Sequence, residues 1–75
     1  MSIRETVLEA VRREFRGDDQ LVEPEKSLAD LGLDDLDRIE IVMNLEETLG
    51  IEISDAELSS IDTVQDIIDV CERPS

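Results

Sequence analysis

Residues 30–57, DLGLDDLDRIEIVMNLEETLGIEISDAE, decide how this chain folds. Asp34 or Asp35 suits the N-cap of a helix, because a carboxylate there accepts the unpaired N–H groups of the first turn. Gly50 suits the C-terminal end, where the chain often turns left-handed. Between these limits apolar residues recur at steps of three or four, as on one side of a helix. They are Leu36, Ile39, Val42, Met43, Leu45 and Leu49, with Ile41 between them. The pattern predicts a helix at about Asp35–Leu49.

This helix carries a lopsided charge. From residue 34 to residue 50 there are six acidic residues and a single base, Arg38, which gives a net charge of −5. A charge run of this kind usually forms a solvated face. Here we expect Ile39 and Met43 to be partly exposed among the acids, and an apolar pair rimmed by charge suits a transient interface. The helix is therefore interpreted as a docking surface for basic partners, with a solvated face as the alternative.

Length and composition limit the classes of protein to consider. The 75 residues allow one small domain, residues 1–75, and the 40% hydrophobic content is enough for a packed core. The sequence contains no histidine, so the usual general base near neutral pH and any imidazole metal ligand are missing. A single cysteine, Cys71, cannot form an internal disulfide, which fits a reducing cytoplasm.

The net charge of −14 bears on the partners. Nucleic acid and anionic membranes are unfavourable partners because their phosphates repel an acidic protein. The acidity belongs to residues 17–75, since residues 2–16 carry four arginines and three glutamates. No apolar run is long enough to span a bilayer, and no signal-peptide pattern is present. We expect a cytoplasmic monomer that binds basic protein surfaces.

Two further helices flank the central stretch. The first covers residues 2–16, with Ser2 as its cap and Glu5 as a capping-box partner. Its apolar stripe consists of Ile3, Val7, Leu8, Val11 and Phe15. A brief helix at Asp55–Ser60 follows its cap, Ser54.

A long loop and a last helix complete the prediction. Residues 18–33 form the loop, in which a proline interrupts any helix. Its apolar anchors are Leu21, Val22, Leu28, Leu31 and Leu33. The last helix, Val64–Glu72, begins at Asp62 or Thr63 and is followed by a tail at residues 73–75. Its inner stripe consists of Val64, Ile67, Ile68 and Cys71. The chain is predicted to be all-α, a four-helix bundle with three main helices, one short helix and a long first loop.

The sequence does not predict catalysis or a metal site. Asp34, Asp35 and Asp37 are close enough to suggest acid/base chemistry or a divalent cation. Their spacing lacks the glycine and distal glutamate of an EF-hand loop, and no nucleophile or oxyanion group accompanies them. Cys71 lies on an apolar stripe without a histidine to activate it, so it is interpreted as a core residue.

Residues 30–57 closely resemble the acyl carrier proteins of fatty acid and polyketide synthesis. That family has the pattern D-L-G-x-D-S-L-D-x-V-E-L-V-M-x-L-E-E-x-F-G-I-x-I-x-D-x-E. The close match covers about the central third of the chain. The flanking helices, the long first loop and the closing segment TVQDIID extend it over nearly all 75 residues. The resemblance implies a four-helix carrier protein that has no catalytic activity of its own.

Asp35 departs from the family pattern at the position of greatest consequence. The family's serine there takes 4′-phosphopantetheine from coenzyme A and keeps it as a stable phosphodiester. A carboxylate would give only a labile acyl phosphate, so the arm is expected only if Asp35 were a serine. Either Asp35 is natural, in a non-carrying homologue, or it is an engineered replacement that locks the apo form. Arg38 is a lesser departure, because the family usually has a small or neutral residue there.

The resemblance also implies a docking surface. Its residues are Asp34, Leu36, Asp37, Ile39, Glu40, Met43, Glu46 and Ile53, with Asp55 at the edge. The partners would be basic surfaces of fatty acid or polyketide synthesis enzymes and of a phosphopantetheinyl transferase. The family holds its acyl chain between helices, and an aliphatic core for this is predicted from Ile39, Val42, Leu45, Ile61 and Ile67. The alternative is a non-carrying regulatory or scaffold protein that uses the same helix.

Overall fold

A computed structural model describes residues 2–73, and Met1, Pro74 and Ser75 lie outside the described residues. Within that range the elements are all helical, as predicted. They are α1 (Ile3–Glu14), a 3₁₀ turn (Asp19–Leu21), α2 (Asp35–Leu49), α3 (Asp55–Ser60) and α4 (Val64–Glu72). The predicted long first loop lies between α1 and α2. Of the predicted tail only Arg73 is described, and its side chain is paired with Glu57 at 3.0 Å.

Helix α1 is shorter than predicted. It begins after Ser2, whose hydroxyl accepts a hydrogen bond from the Glu5 N–H at 3.1 Å. It ends at Glu14 because Phe15 leaves the helical conformation, with ψ at 132°, and packs its ring against the core. That ring also lies over Gly17, where an added Cβ would come within 2.6 Å of the Phe15 ring. The close approach explains why a glycine follows the helix.

Helix α2 has the predicted limits, and its ends are fixed by local hydrogen bonds. Asp34 is the N-cap and forms a capping box with Asp37. The Asp37 N–H donates to Asp34 Oδ1 at 2.9 Å, and the Asp34 N–H donates to Asp37 Oδ2 at 3.1 Å. Gly50 ends the helix with φ at 66°, a left-handed conformation that costs glycine least.

The two later helices begin with the same device. Ser54 and Glu57 form the capping box of α3, and Thr63 and Asp66 form that of α4. Of the two caps predicted for α4, the structure therefore selects Thr63. Such boxes satisfy N–H groups that have no partner inside the helix, and so they place the start of each helix to within a residue.

The core is aliphatic and is built from three helices and the loop. Its members on helices are Val7, Leu8, Ala10, Val11, Ile41, Val42, Leu45, Val64, Ile67, Ile68 and Cys71. Helix α1 packs against both α2 and α4. The predicted inclusion of Ile39 in the core is wrong, because the buried face of α2 is formed by Ile41, Val42 and Leu45 and Ile39 lies at its edge.

The long first loop packs across the helices, as predicted. Val22, Leu28, Leu31 and Leu33 are buried in the core. Leu21 was predicted as a further anchor but is half exposed, because it ends the 3₁₀ turn while the next residue, Val22, enters the core. The loop also pairs with the corner between α3 and α4, where the Leu28 N–H donates to the Asp62 carbonyl at 2.9 Å. The path of the loop is therefore fixed by the core on one side and by the α3–α4 corner on the other. It brings the chain to Asp34.

Candidate functional site

The site begins at Asp35, the first residue of α2. Its side chain is 92% exposed, and its Oδ1 lies 3.1 Å from Nη2 of Arg38, one turn later on the same helix. A phosphopantetheine arm needs a hydroxyl at its point of attachment. A carboxylate offers no hydroxyl, and one of its two oxygens is already paired with the Arg38 guanidinium. The residues present therefore do not fit that group.

Arg38 makes a second contact that leaves its own helix. Its Nη1 donates to the carbonyl oxygen of Ile61, at the C-terminal end of α3, at 3.1 Å. Only 27% of the side chain is exposed. Its Nε is buried without a hydrogen-bond partner among the described residues. Arg38 thus joins the start of α2 to the corner between α3 and α4, although part of its guanidinium is desolvated.

A small cleft of about 130 Å³ opens beside this pair. The first loop and Ile61 give it an apolar wall, and the start of α2 gives it a charged rim. Its lining is Leu28, Ala29, Leu33, Asp34, Asp35, Arg38, Ile61 and Asp62. The apolar members Leu28, Leu33 and Ile61 belong to the core itself. The cleft therefore brings position 35 and residues of the core into one lining.

Helix α2 exposes an apolar strip next to the cleft. Leu36 is 64%, Ile39 42% and Met43 59% exposed, so the predicted exposure of Ile39 and Met43 is confirmed. These residues are three and four positions apart and lie on one side of the helix. Glu40 is exposed on the same side. The strip has the composition of a transient interface, with apolar side chains among acids.

Glu47 is a further exposed acid of this surface, counted among the six acids of the helix but absent from the docking residues that the resemblance implies. It is exposed and lies four residues after Met43, at the next step of the same side. The spacing of Leu36, Glu40, Met43 and Glu47 is the signal that identifies it. Including Glu47 extends the acidic rim along the whole length of α2.

Glu46 and Ile53 lie together at the other end of α2. Glu46 Oε2 accepts a hydrogen bond from the Ile53 N–H at 2.9 Å, and both residues are half-buried. Asp55 is exposed as the first residue of α3. Glu46 therefore helps to hold the link between α2 and α3, and less of its charge faces solvent than that of Glu40. The structure thus divides the predicted docking residues into an exposed strip and a structural pair.

Asp34, at the rim of the cleft, is held ionised. The N–H of Asp37 donates to its carboxylate and keeps the pKa of Asp34 below the usual value for aspartate. Asp34 and Asp37 also lie at the positive end of the helix dipole, which favours negative charge. Arg38 is the only base on α2. The start of the helix is therefore acidic at neutral pH, and Arg38 offsets the charge of Asp35.

Cys71 has the environment predicted for a core residue. Its side chain is buried on α4, and desolvation raises the pKa of the thiol to about 11. Among residues 2–73, no group of three or more cysteine, aspartate or glutamate side chains is arranged to hold a metal ion. None of the helices in that range is both long enough and apolar enough to cross a membrane.

A second cleft, of about 180 Å³, lies between α1 and α2. Its lining is Thr6, Glu9, Ala10, Arg13, Asn44 and Thr48. None of the residues predicted for docking lines it. Its polar side chains belong to none of the functional motifs identified in the sequence. The candidate site is therefore the start and the exposed side of α2.

Comparisons with known proteins agree with this description. The family described as "Phosphopantetheine attachment site" matches residues 5–71. An acyl carrier protein of Thermosynechococcus vestitus is 44% identical over 68 residues, which cover 89% of this chain and 84% of that protein. Acyl carrier protein 1, chloroplastic, of Casuarina glauca is 48% identical over 56 residues, which cover 75% of this chain and 41% of that protein.

Proposed function

This chain belongs to the acyl carrier protein family, whose members are carriers and not catalysts, and from that membership we propose that it acts as a docking module in fatty acid or polyketide biosynthesis. It works as a single cytoplasmic domain and as a monomer. It binds basic surfaces of biosynthetic enzymes through α2. The observation that carries this proposal is the exposed strip of Leu36, Ile39 and Met43 among acids.

Charge and shape have different parts in this docking. The acids Asp37, Glu40 and Glu47 attract a basic surface and speed the encounter. Leu36 and Met43 are then desolvated against the partner, which slows dissociation and lengthens the lifetime of the complex. Met43 suits this part because its flexible thioether adapts to different surfaces. A small, wet interface of this kind favours rapid exchange between successive enzymes.

We further propose that position 35 carries no arm in the chain as written. Asp35 stands where the family has its attachment serine, and no other serine lies in the D-S-L context. The carboxylate places a negative charge where the phosphodiester lies in other members of the family. Asp35 would in this way imitate the charge of a carrier with 4′-phosphopantetheine attached. The ion pair with Arg38 works against strong imitation, because it neutralises that charge.

The alternative is a regulatory or scaffold protein that binds the same partners without carrying a group. One observation favours it: the two departures from the family pattern, Asp35 and Arg38, are in contact with each other. A serine changed to aspartate by design would not by itself supply a matched cation one turn away. The pair is what a natural chain adapted to a carboxylate at this position would contain.

Intact mass tests the proposal for position 35. The chain and Asp35→Ser are each incubated with coenzyme A and a broad-specificity phosphopantetheinyl transferase. We expect one arm on Asp35→Ser and none on the parent chain. An arm on the parent chain would overturn the proposal, and no arm on either would favour the regulatory alternative.

Binding of the same transferase tests the docking surface. Glu40→Lys and Asp69→Lys make the same change of charge, the first on the exposed strip of α2 and the second on α4. We expect Glu40→Lys to weaken binding at least tenfold more than Asp69→Lys, measured by titration calorimetry. Equal effects would show that only net charge matters and that α2 is not the docking surface.

A further inference from the structure

The side chain of Arg38 lines the cleft beside position 35. We propose that Arg38 keeps the core closed to an apolar chain at position 35, so that the bundle would not enclose such a chain even if position 35 were made to carry one. The inference deepens the proposed function, since it rests on position 35 as the family's attachment point. It concerns what the bundle can enclose and is independent of any enzyme that attaches the group.

The contacts of Arg38 hold its guanidinium at the cleft, between the start of α2 and the end of α3. Nη2 is 3.1 Å from Asp35 and Nη1 is 3.1 Å from the Ile61 carbonyl, which lie on different elements. A planar guanidinium held at two points loses most of its freedom to swing away. The buried Nε shows that the stem of the side chain lies inside the surface. Arg38 therefore links α2 to the end of α3 beside the cleft.

The lining of the cleft includes three apolar residues of the core. Leu28, Leu33 and Ile61 are each buried, and they belong to the same core as Val42 and Leu45. A hydrocarbon chain that passed Arg38 would reach this aliphatic wall and gain from burial. With Arg38 in place, the same chain would have to displace the guanidinium or lie against a partly desolvated charge, and both are unfavourable.

Replacing Asp35 does not by itself open the cleft. Such a change removes the ion pair, yet the hydrogen bond from Arg38 to the Ile61 carbonyl remains. Replacing Arg38 by a small residue removes the contact with Ile61 and the bulk of the side chain beside the cleft. The two positions therefore make separable contributions, and the inference predicts that only loss of Arg38 admits a chain.

A chemical attachment tests this without a transferase or a partner. Asp35→Cys and Asp35→Cys/Arg38→Ala are treated with methyl or octyl methanethiosulfonate. The introduced thiolate attacks the sulfenyl sulfur, so a disulfide to the alkyl group forms and methanesulfinate leaves. Cys71 is buried with a raised pKa and should not react, and intact mass of the treated parent chain checks this.

The readout is the difference in Tm between the octyl and methyl forms of each variant. With Arg38 present we expect a difference of less than about 1 °C. With Arg38→Ala we expect the octyl form to melt at least ~4 °C higher, which corresponds to about 1 kcal/mol for a domain of this size. An equal octyl gain in both backgrounds, or no gain in either, would overturn the proposal.

Arg12→Ala is the matched control. Arg12 is likewise half-buried, and its buried Nε has no partner among residues 2–73, but it lies on α1, away from the cleft. In the Asp35→Cys background it should give no octyl gain. If Arg38→Ala does not fold, Arg38→Thr gives the same comparison. Methyl signals of Leu45 and Ile61 should also shift with the octyl group only when Arg38 is absent.

Discussion

Arg38 and Asp35 form an ion pair with 3.1 Å between Nη2 and Oδ1, and the same guanidinium holds the carbonyl of Ile61. The two contacts differ in how much they contribute to stability. Asp35 is almost fully exposed, so its pairing is screened by water and salt. The contact with Ile61 is partly buried and joins two residues that are 23 positions apart in the sequence. The Ile61 contact is therefore expected to be the stronger structural tie.

Arg38→Met should lower the free energy of unfolding by about 1–2 kcal/mol, because the charged hydrogen bond to Ile61 is lost. Removal of the Nε, which is buried without a partner among residues 2–73, offsets part of this loss. Asp35→Asn should cost less than about 1 kcal/mol, as exposed ion pairs do. Urea unfolding of both variants measures the two values. A larger loss for Asp35→Asn than for Arg38→Met would show that the ion pair is the main tie.

Association with a basic partner should weaken as salt is added. At 0.5 M salt the Debye length falls to about 4–5 Å, shorter than the spacing of most charges across an interface. We expect the association rate constant to fall at least tenfold between 0.05 and 0.5 M salt, about the range in which steering is screened. Stopped-flow binding to a phosphopantetheinyl transferase measures it. A salt-independent rate would refute docking by charge.

Leu45→Ala and Met43→Ala separate the two sides of α2. Leu45 is fully buried, so its truncation should cost about 2–5 kcal/mol, enough to unfold much of a small domain. Met43 is exposed, so its truncation should change stability by no more than about 0.5 kcal/mol. Partner affinity should respond to Met43→Ala instead. Thermal unfolding and binding assays of both variants give the comparison.

Asp66 should make stability depend on pH. Its carboxylate accepts the N–H groups of Thr63 and Asp62, each at 2.9 Å, and these bonds lower its pKa below the usual 3.8. Because the folded pKa is lowered, the contribution is present above about pH 4 and is lost as the pH falls through the folded pKa. Asp66→Asn should therefore destabilise by about 1 kcal/mol at pH 7 and by less near pH 3.

The comparison with Asp69→Asn isolates the capping effect. Asp69 accepts a bond from the Gln65 side chain at 2.9 Å and caps no backbone group. Both variants remove one negative charge from a strongly acidic protein, so the general relief of repulsion is shared. Urea unfolding at both pH values gives the difference. An Asp66→Asn deficit that stays constant down to pH 3 would contradict the assignment.

The helix limits could be predicted from sequence because their determinants are local. The boxes of Asp34 with Asp37 and Ser54 with Glu57 place partners three residues apart, and such spacing is visible in the sequence. The end of α1 could not be predicted, since Phe15 leaves the helix to reach a core assembled from distant segments. Local patterns placed the helices, and tertiary packing shortened the end of α1.

The candidate functional site could be predicted only in part from the sequence, for the same reason. Exposure of Met43 follows from helical spacing, and the departure at Asp35 is visible against the family pattern. The contact of Arg38 with Ile61 is not, because no local rule relates residues so far apart. The bond from the Ile53 N–H to Glu46 is equally non-local, and it gives a predicted docking acid a structural contact as well.

The pairing of the first loop with the α3–α4 corner has a consequence for the dynamics of the backbone. Besides the Leu28 bond, the Val64 N–H donates to the Lys26 carbonyl at 3.0 Å and the Gln65 N–H to the Pro24 carbonyl at 2.8 Å. These amides belong to segments about forty residues apart, so neither can open without releasing the other. In hydrogen exchange the loop and the start of α4 should therefore exchange as one cooperative unit, with the loop amide of Leu28 protected like a helical one.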